Sequence, residues 1–272
     1  MNRGRVAGVR YASRMQQRAD NMEEAGSAAR RLAWAAWNAL QFGFTLCWTA
    51  AWISLALLVR VATGGRHWPL RMAASCWAPG LLWGAGARLE VEGAEHVDWS
   101  RNYLLVANHQ SVIDICALFR ATPVPLHFLL KKEMKQVPFV GWYARATGML
   151  FIDRESPRAG PLLRREAAAL LREGHSLCLF PEGTRSRCGA VAPFKGGSFQ
   201  GAIDAGTPVL PVALEGAGAV LPADGLFRVR PGVIRVRFGA PLPVDGAGSA
   251  AGRQALAADA HASVQALLRR AA

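Results

Sequence analysis

Short apolar runs alternate with amphipathic stretches along most of the chain after residue 87. Six apolar runs have the length of strands, one further segment, 88–92, alternates apolar and polar residues as an edge strand does, and the longer stretches between them have the spacing of helices. The predicted strands are 88–92, 103–107, 125–130, 148–152, 176–180, 208–214 and 232–238. The predicted helices are 111–120, 132–146 with a break near Pro138, 158–172, 197–205 and 250–270. This alternation predicts an α/β fold, in which a mostly parallel mixed sheet is flanked by helices.

The longest apolar run of the sequence precedes these elements. It extends over 28 residues without a charge, from Leu32 to Val59. Because about 20 apolar residues cross the hydrocarbon core of a bilayer, this run is long enough to span one. A second uncharged run, 72–87, is short for a span and contains Pro79 and three glycines. The two runs predict N-terminal membrane-associated helices, arranged as a hairpin or a monotopic dip, with a single tilted span as the alternative.

Three segments are therefore expected along the chain. They are a basic tail at 1–31, a membrane-associated helical hairpin at 32–87 and an α/β domain at 88–272. The tail holds seven arginines and three acidic residues, and such a tail resists translocation across a membrane. We therefore expect the cell inner membrane as the location, with the α/β domain facing the cytoplasm.

Composition and charge favour a membrane as the partner. The formal net charge is +13 at pH 7, and 51% of the residues are hydrophobic. A basic chain implies an anionic partner, and nucleic-acid binders usually combine their charge with a polar surface. Anionic membrane lipids are therefore expected, and nucleic acid is not. Five cysteines without a CxxC pair predict reduced, mostly buried thiols, and no spacing typical of metal ligands occurs.

Polar side chains follow three of the predicted strands. Asn108 and His109 follow the second strand, Asp153 and Arg154 the fourth, and residues 182–185 the fifth. The carboxyl ends of parallel strands lie at one edge of a sheet, where functional residues collect. The sequence therefore predicts one site at this edge.

His109 and Asp114 have the residue types of a general base and its orienting acid. Histidine titrates near physiological pH, and a carboxylate at one ring nitrogen fixes the tautomer of the imidazole. A separation of five residues turns the acid about 140° off the histidine face of a regular helix, so we expect His109 in the preceding turn. No G-x-S-x-G elbow is present. His109 is therefore predicted to activate a hydroxyl of the substrate, which attacks an activated acyl group.

Arg154 and Arg185 are the candidate anion-binding residues. The guanidinium fork matches phosphate oxygens, and Gly183 allows backbone N–H groups to approach a ligand closely. At neighbouring strand ends the two arginines predict a phosphate site. Lys131, Lys132 and Lys195 are expected to add to its positive field.

Four motifs, in this order, resemble the glycerophospholipid acyltransferase family. The first is N-H-x-x-x-x-D, from Asn108 to Asp114, and the fourth is a proline, Pro211, within the apolar strand 209–214. The second is G-M-L-F-I-D-R at 148–154, and the third is F-P-E-G-T-R-S at 180–186. The resemblance covers about residues 88–240.

This resemblance implies an enzyme of phospholipid biosynthesis that produces phosphatidic acid. A fatty acyl group would pass from acyl-CoA or acyl carrier protein to the sn-2 hydroxyl of lysophosphatidic acid, without a metal or bound cofactor. His109 would be the base, Asp114 would orient it, and Arg154, Glu182, Gly183 and Arg185 would hold the acceptor's glycerol phosphate. The implied substrate-binding set is Asn108, Arg154, Glu182, Gly183, Thr184, Arg185 and Pro211.

Three alternatives stay open at this point. The acceptor could be another lyso-lipid, such as lyso-ornithine lipid, although a phosphate-free acceptor leaves Arg154 and Arg185 without a role. A lipid ester hydrolase would use His109 to activate water. A non-catalytic membrane-binding module would keep its function after replacement of His109.

Overall fold

A computed structural model describes residues 3–153, 156, 159–186, 189–224 and 227–269, and of residues 3–29 it describes the backbone alone. The chain divides into two compact units, Met1–Gly43 and Phe44–Ala272. The second unit contains the sheet and all the predicted site residues that the structure describes. Arg154, Cys188 and the C-terminal residue of the last predicted helix lie outside the described residues.

The first helix, α1, extends over Arg3–Thr63. Within the described chain, its segment Arg30–Thr63 is the one helix long and apolar enough to cross a membrane, by length and composition alone. A core helix of a soluble protein is mostly buried, whereas 11% of this segment's most apolar stretch is buried. The exposed apolar side chains favour a membrane environment for it.

Residues 67–84 run antiparallel to the C-terminal part of α1, residues 44–63. They comprise α2 (His67–Met72), a π-helical turn (Ala73–Trp77) and α3 (Ala78–Gly84). The Trp48 indole N–H donates to the carbonyl of Trp77 at 3.1 Å. A Cβ at Gly80 would lie 2.2 Å from the Trp48 ring, so only glycine allows this approach. The second apolar run therefore forms helices that pack against α1. The predicted segment boundaries after residues 31 and 87 stay a prediction.

Seven strands form one mixed sheet, which confirms the predicted fold class. The strand order is β1-β7-β6-β2-β5-β3-β4, and every pairing is parallel except that of β6 with β7. The strands are β1 (Ala87–Glu92), β2 (Leu104–Ala107), β3 (Leu126–Lys131), β4 (Leu150–Ile152), β5 (Ser176–Leu179), β6 (Val209–Glu215) and β7 (Gly232–Phe238). The helices after β1 are α4 (Ile113–Ala121), α5 (Val140–Thr147), α6 (Ala159–Arg172), α7 (Gln200–Ala205), α8 (Ala217–Val220) and α9 (Ala250–Arg269).

Two apolar layers cover the two faces of the sheet. Along β2 the side chains alternate, with Leu105 and Ala107 on one face and Leu104 and Val106 on the other. The first face packs with α3, α4 and α5, and the second with α6, α7 and α9. Continuous apolar runs therefore become central strands because both of their faces are buried.

The centre of the sheet positions the site. Strand β2 lies between β5 and β6, and all three point the same way, so their carboxyl ends meet at one edge. Helix α4 begins at Ile113 instead of the predicted Ser111, because residues 108–112 form a loop between β2 and α4. This β2–α4 loop carries His109.

Candidate active site

The imidazole of His109 and the carboxylate of Asp114 form a hydrogen-bonded pair. His109 Nδ1 lies 2.7 Å from Asp114 Oδ2. The contact is possible because His109 lies in the β2–α4 loop and Asp114 in the first turn of α4, as the spacing predicted. The Asp114 side chain is fully buried, whereas the His109 side chain is 17% exposed. With Nδ1 donating to the carboxylate, Nε2 is the ring nitrogen that can accept a proton.

Backbone donors hold the Asp114 carboxylate in place. Its Oδ2 also accepts the N–H of Gln110 at 2.7 Å and the N–H of Ser111 at 2.8 Å. Three hydrogen bonds therefore converge on one oxygen of this buried side chain and offset the hydration that it loses on burial. The same bonds wrap the β2–α4 loop around the acid.

Phe180 fixes the plane of the imidazole, a role that the sequence did not indicate. The rings of Phe180 and His109 are stacked, with centroids 3.9 Å apart and planes at 12°. Phe180 follows β5, the neighbour of β2, so the stack depends on the order of the strands. The stack and the Nδ1 hydrogen bond together leave the ring one orientation.

Glu182 holds the backbone of the base. Its Oε1 accepts the N–H of His109 at 2.8 Å, and its Oε2 accepts the N–H of Ala192 at 2.8 Å. Burial raises the pKa of this carboxyl, and the two backbone N–H groups oppose that rise. The carbonyl of His109 accepts the N–H of Ser186 at 2.7 Å. The segment after β5 therefore positions His109 from both sides, and binding of the acceptor by Glu182 stays a prediction.

Asn108 joins the end of β2 to β6. Its Nδ2 donates to the carbonyl of Leu214 at 2.8 Å, and its Oδ1 accepts the N–H of Leu214 at 2.7 Å. The side chain is buried, so both amide atoms are used inside the protein. Pro211 lies in β6 opposite Val106, within the buried part of the sheet. Substrate binding by Asn108 and by Pro211 stays a prediction.

Two basic side chains flank the turn at Gly183. This glycine has φ of +78°, and a Cβ on it would lie 2.7 Å from Lys195 Nζ. Thr184 and Arg185 follow it and are exposed. Within the described residues neither Arg185 nor Lys195 forms an ion pair. Lys132, by contrast, is paired with Asp153 at 2.9 Å.

The other hydroxyl and thiol near His109 in sequence are engaged elsewhere. Ser111 Oγ donates to the carbonyl of Leu221 at 2.5 Å. Cys116 is buried, and this burial raises the pKa of its thiol to about 12. Neither group is placed as a nucleophile, which agrees with direct attack by a substrate hydroxyl.

An apolar cavity of about 110 Å³ lies beside α4, on the membrane-helix side of the sheet. Ile115 and Phe119 of α4 form one wall, and Trp52 and Ala56 of α1 form another. Its remaining lining residues are Ile53, Met72, Ala73, Trp77, Phe128, Leu130, Met134, Val140, Tyr143, Ala144 and Met149. The wall residue Ile115 follows Asp114 in α4, so this helix contributes both to the cavity and to the His109–Asp114 pair.

The fold is that of an α/β protein, and it carries the His109–Asp114 pair at the carboxyl ends of its central strands, where functional residues of such sheets collect. Residues 88–215 match the family model described as Acyltransferase. The chain is 35% identical over 133 residues to the 1-acyl-sn-glycerol-3-phosphate acyltransferase of Borreliella burgdorferi, covering 49% of this chain and 53% of the relative. It is 30% identical over 193 residues to the 1-acyl-sn-glycerol-3-phosphate acyltransferase of Saccharomyces cerevisiae, and this match covers 67% of this chain and 61% of the relative.

A solved structure has the same fold. The crystal structure of the 1-acyl-sn-glycerophosphate (LPA) acyltransferase, PlsC, from Thermotoga maritima matches with a TM-score of 0.73 and 26% identity. The match covers 88% of this chain and 97% of that one. The family resemblance is therefore confirmed: residues 88–215 match the Acyltransferase family model, and the chain is similar in sequence and in fold to proteins named as 1-acyl-sn-glycerol-3-phosphate acyltransferases. The chain spans about half the length of the curated relatives that it matches: the first three matches cover 53%, 41% and 58% of the relative's own length.

Replacing Asn108 with Ala should lower the free energy of unfolding by about 2–4 kcal/mol, because a buried N–H and a buried carbonyl of Leu214 lose their partners. Urea unfolding in detergent measures this loss. Asn102→Ala is the matched control, since Asn102 Nδ2 donates to the carbonyls of Leu171 and His175 from a half-buried position before β2. Equal losses for the two variants would contradict the assignment of Asn108 as a buried clamp.

Glu182→Gln should lower kcat for acyl transfer by about 10- to 100-fold with little change in KM. The substitution would displace His109 from its reactive position, while the substrate would still bind. An amide can accept only one of the two backbone N–H groups that the carboxylate now accepts. Steady-state kinetics with varied acceptor separates the two parameters. A raised KM with unchanged kcat would instead assign Glu182 to acceptor binding.

Proposed function

We propose that the protein transfers a fatty acyl group from a thioester, acyl-CoA or acyl carrier protein, to the sn-2 hydroxyl of lysophosphatidic acid. The observation that carries this proposal is the His109–Asp114 pair at the carboxyl end of β2, with Nε2 free to accept a proton. The relatives with matching sequences are named for acylation of 1-acyl-sn-glycerol-3-phosphate, which supports this acceptor.

The pair can carry out the transfer without a covalent enzyme intermediate. Nε2 of His109 takes the proton of the acceptor hydroxyl as its oxygen attacks the thioester carbon. The C–S bond then breaks, the ester forms, and the imidazolium returns the proton to the departing thiolate. Asp114 stabilises the imidazolium while it carries the proton. The proposal requires no metal and no bound cofactor.

We assign the acceptor phosphate to Arg185 and Lys195, which form no ion pair with any residue that the structure describes. Arg185 and Lys195 flank Gly183, whose positive φ turns the backbone beside them. A phosphate there would form charge-assisted hydrogen bonds, which are stronger than neutral ones. Arg154 and Thr184 are assigned to the same phosphate from the motifs alone.

The apolar cavity supplies a place for an acyl chain. Its lining is apolar apart from the hydroxyl of Tyr143, which donates to the carbonyl of Pro69 at 3.1 Å. Each buried CH₂ group is worth about 0.8 kcal/mol, so a cavity of this kind selects hydrocarbon. The apolar part of α1 would bring the protein to lipid substrates, and we propose the inner membrane with the α/β domain in the cytoplasm.

His109→Ala should lower kcat by at least about 100-fold, since general base catalysis contributes roughly 10²–10⁴-fold. Release of free thiol from acyl-CoA, measured on purified protein with a panel of lyso-lipids, tests this. Membrane association should stay as in the wild type, because it depends on the apolar part of α1 and not on His109. Near-wild-type transfer by this variant would contradict the mechanism, and thiol release without any acceptor would favour a hydrolase.

Arg185→Ala and Lys195→Ala should each raise the KM for lysophosphatidic acid by about tenfold or more, because a hydrogen bond to a charged group contributes about 1.5–3 kcal/mol. Activity on an acceptor without phosphate should not change. Arg101→Ala is the matched control, because Arg101 is an exposed arginine before β2, at the opposite edge of the sheet. A preference for a phosphate-free lyso-lipid such as lyso-ornithine lipid would contradict the phosphate site.

A further inference from the structure

Residues 136–142, here called the tip loop, expose apolar side chains on the α/β domain. Val137 is 38% exposed and Trp142 46% exposed, and Pro138 is also exposed. The N–H of Gly141 donates to the carbonyl of Val137 at 2.8 Å, so these side chains belong to one compact loop. Single exposed apolar residues are ordinary on a protein surface, whereas a cluster marks a contact with a partner or a membrane.

The shape of the tip loop is fixed by its own backbone. Phe139 has φ of +60° and ψ of −60°, and the N–H of Val140 donates to the carbonyl of Pro138 at 2.7 Å. These are the features of the rare, strained γ-turn. Among the described residues, Phe139 is the one non-glycine residue with a positive φ. Strain of this kind persists when surrounding contacts enforce it, and it clusters at functional sites.

Basic residues flank the apolar tip. The segment 131–145 contains four basic residues and one acidic residue, Glu133. Lys135 and Arg145 are exposed, and Arg145 Nη1 donates to the carbonyl of Lys135 at 2.6 Å. The loop therefore combines an apolar tip with cations beside it. Tryptophan prefers the membrane interface, and basic side chains near it are attracted to anionic headgroups.

The tip loop is also next to the apolar helix. The helix α5, whose first turn forms the end of the tip loop, contacts α1, where Arg60 Nε donates to the carbonyl of Ala146 at 3.1 Å. Met134, just before the tip loop, and Val140, within it, line the same apolar cavity as Trp52 of α1. A bilayer that surrounds the apolar part of α1 would therefore lie near the loop.

We propose that the tip loop is a second membrane-contact surface, which inserts Val137, Pro138 and Trp142 among the headgroups of an anionic bilayer. Lys135 and Arg145 would bind those headgroups. The bound loop would keep the apolar cavity next to the bilayer, from which the lipid substrate comes. An acidic protein could also bind the cations, but it would leave the apolar tip uncovered. The strained turn, the tryptophan and the adjoining helix favour the bilayer.

Fluorescence quenching on the full chain tests this contact directly. The protein is reconstituted in phosphatidylglycerol–phosphatidylcholine vesicles whose acyl chains carry bromine near the headgroups. Each variant is measured with and without Trp142→Phe, and the difference isolates Trp142 from the other tryptophans. We expect strong quenching of Trp142, and a several-fold loss of it in Val137→Asp.

Val91→Asp is the matched control, because Val91 is 40% exposed and lies in β1, far along the sheet from this loop. It should leave the quenching of Trp142 unchanged. The proposal is overturned if Trp142 is not quenched in anionic vesicles, or if the two aspartate variants behave alike. It is also overturned if an acidic carrier protein, added without vesicles, shields Trp142 from a soluble quencher.

A kinetic measurement adds a second readout, which rests on the proposed function. Val137→Asp should raise the KM for a vesicle-borne acceptor by about tenfold, equivalent to about 1.4 kcal/mol, and leave the KM for a short-chain soluble acceptor unchanged. Equal effects on both acceptors would overturn the membrane role. If no variant shows transfer, the proposed function fails, whereas the quenching result still decides whether the loop contacts the bilayer.

Discussion

The rest of the site depends on one physical requirement, that the imidazole of His109 is held in a single orientation. A general base must keep one tautomer and one plane, and His109 is held in both by four residues from two segments of the chain, the first turn of α4 and the segment after β5. Asp114 binds Nδ1, Phe180 stacks on the ring, and Glu182 and Ser186 bind the backbone N–H and carbonyl. Only Nε2 is left to react. Most of these contacts lie away from the reacting nitrogen, so much of the site's sequence serves position instead of chemistry.

The sheet makes this restraint possible. Strand β2 lies between β5 and β6. The segment after β5 supplies Phe180 and Glu182 to the β2–α4 loop, and β6 itself supplies Leu214. The buried carboxylates have different surroundings. Asp114 accepts three hydrogen bonds on one oxygen, whereas Glu182 uses its two oxygens to join two loops. Removal of either acid is therefore expected to disturb a different part of the same geometry.

The sequence predicted those features that depend on local patterns. Alternating runs gave the strands, and the spacing of His109 and Asp114 placed the pair in a turn and a first helical turn. The Asn108–Leu214 clamp joins residues 106 positions apart, and the Phe180 stack depends on strand order, so neither has a local signal. The strained turn at Phe139 was likewise hidden, because valine, proline and phenylalanine in a row indicate only a break in a helix. Arg154 was predicted from its motif and lies outside the described residues.

The tautomer of His109 is the most direct test of this account. Nitrogen-15 NMR on histidine-labelled protein, with His109→Ala to assign the signal among six histidines, reports which ring nitrogen carries the proton. The neutral ring should carry it on Nδ1, in a hydrogen bond that Asp114→Ala removes. A proton on Nε2 in the resting protein would contradict the account, because the nitrogen that must accept the substrate proton would already be occupied.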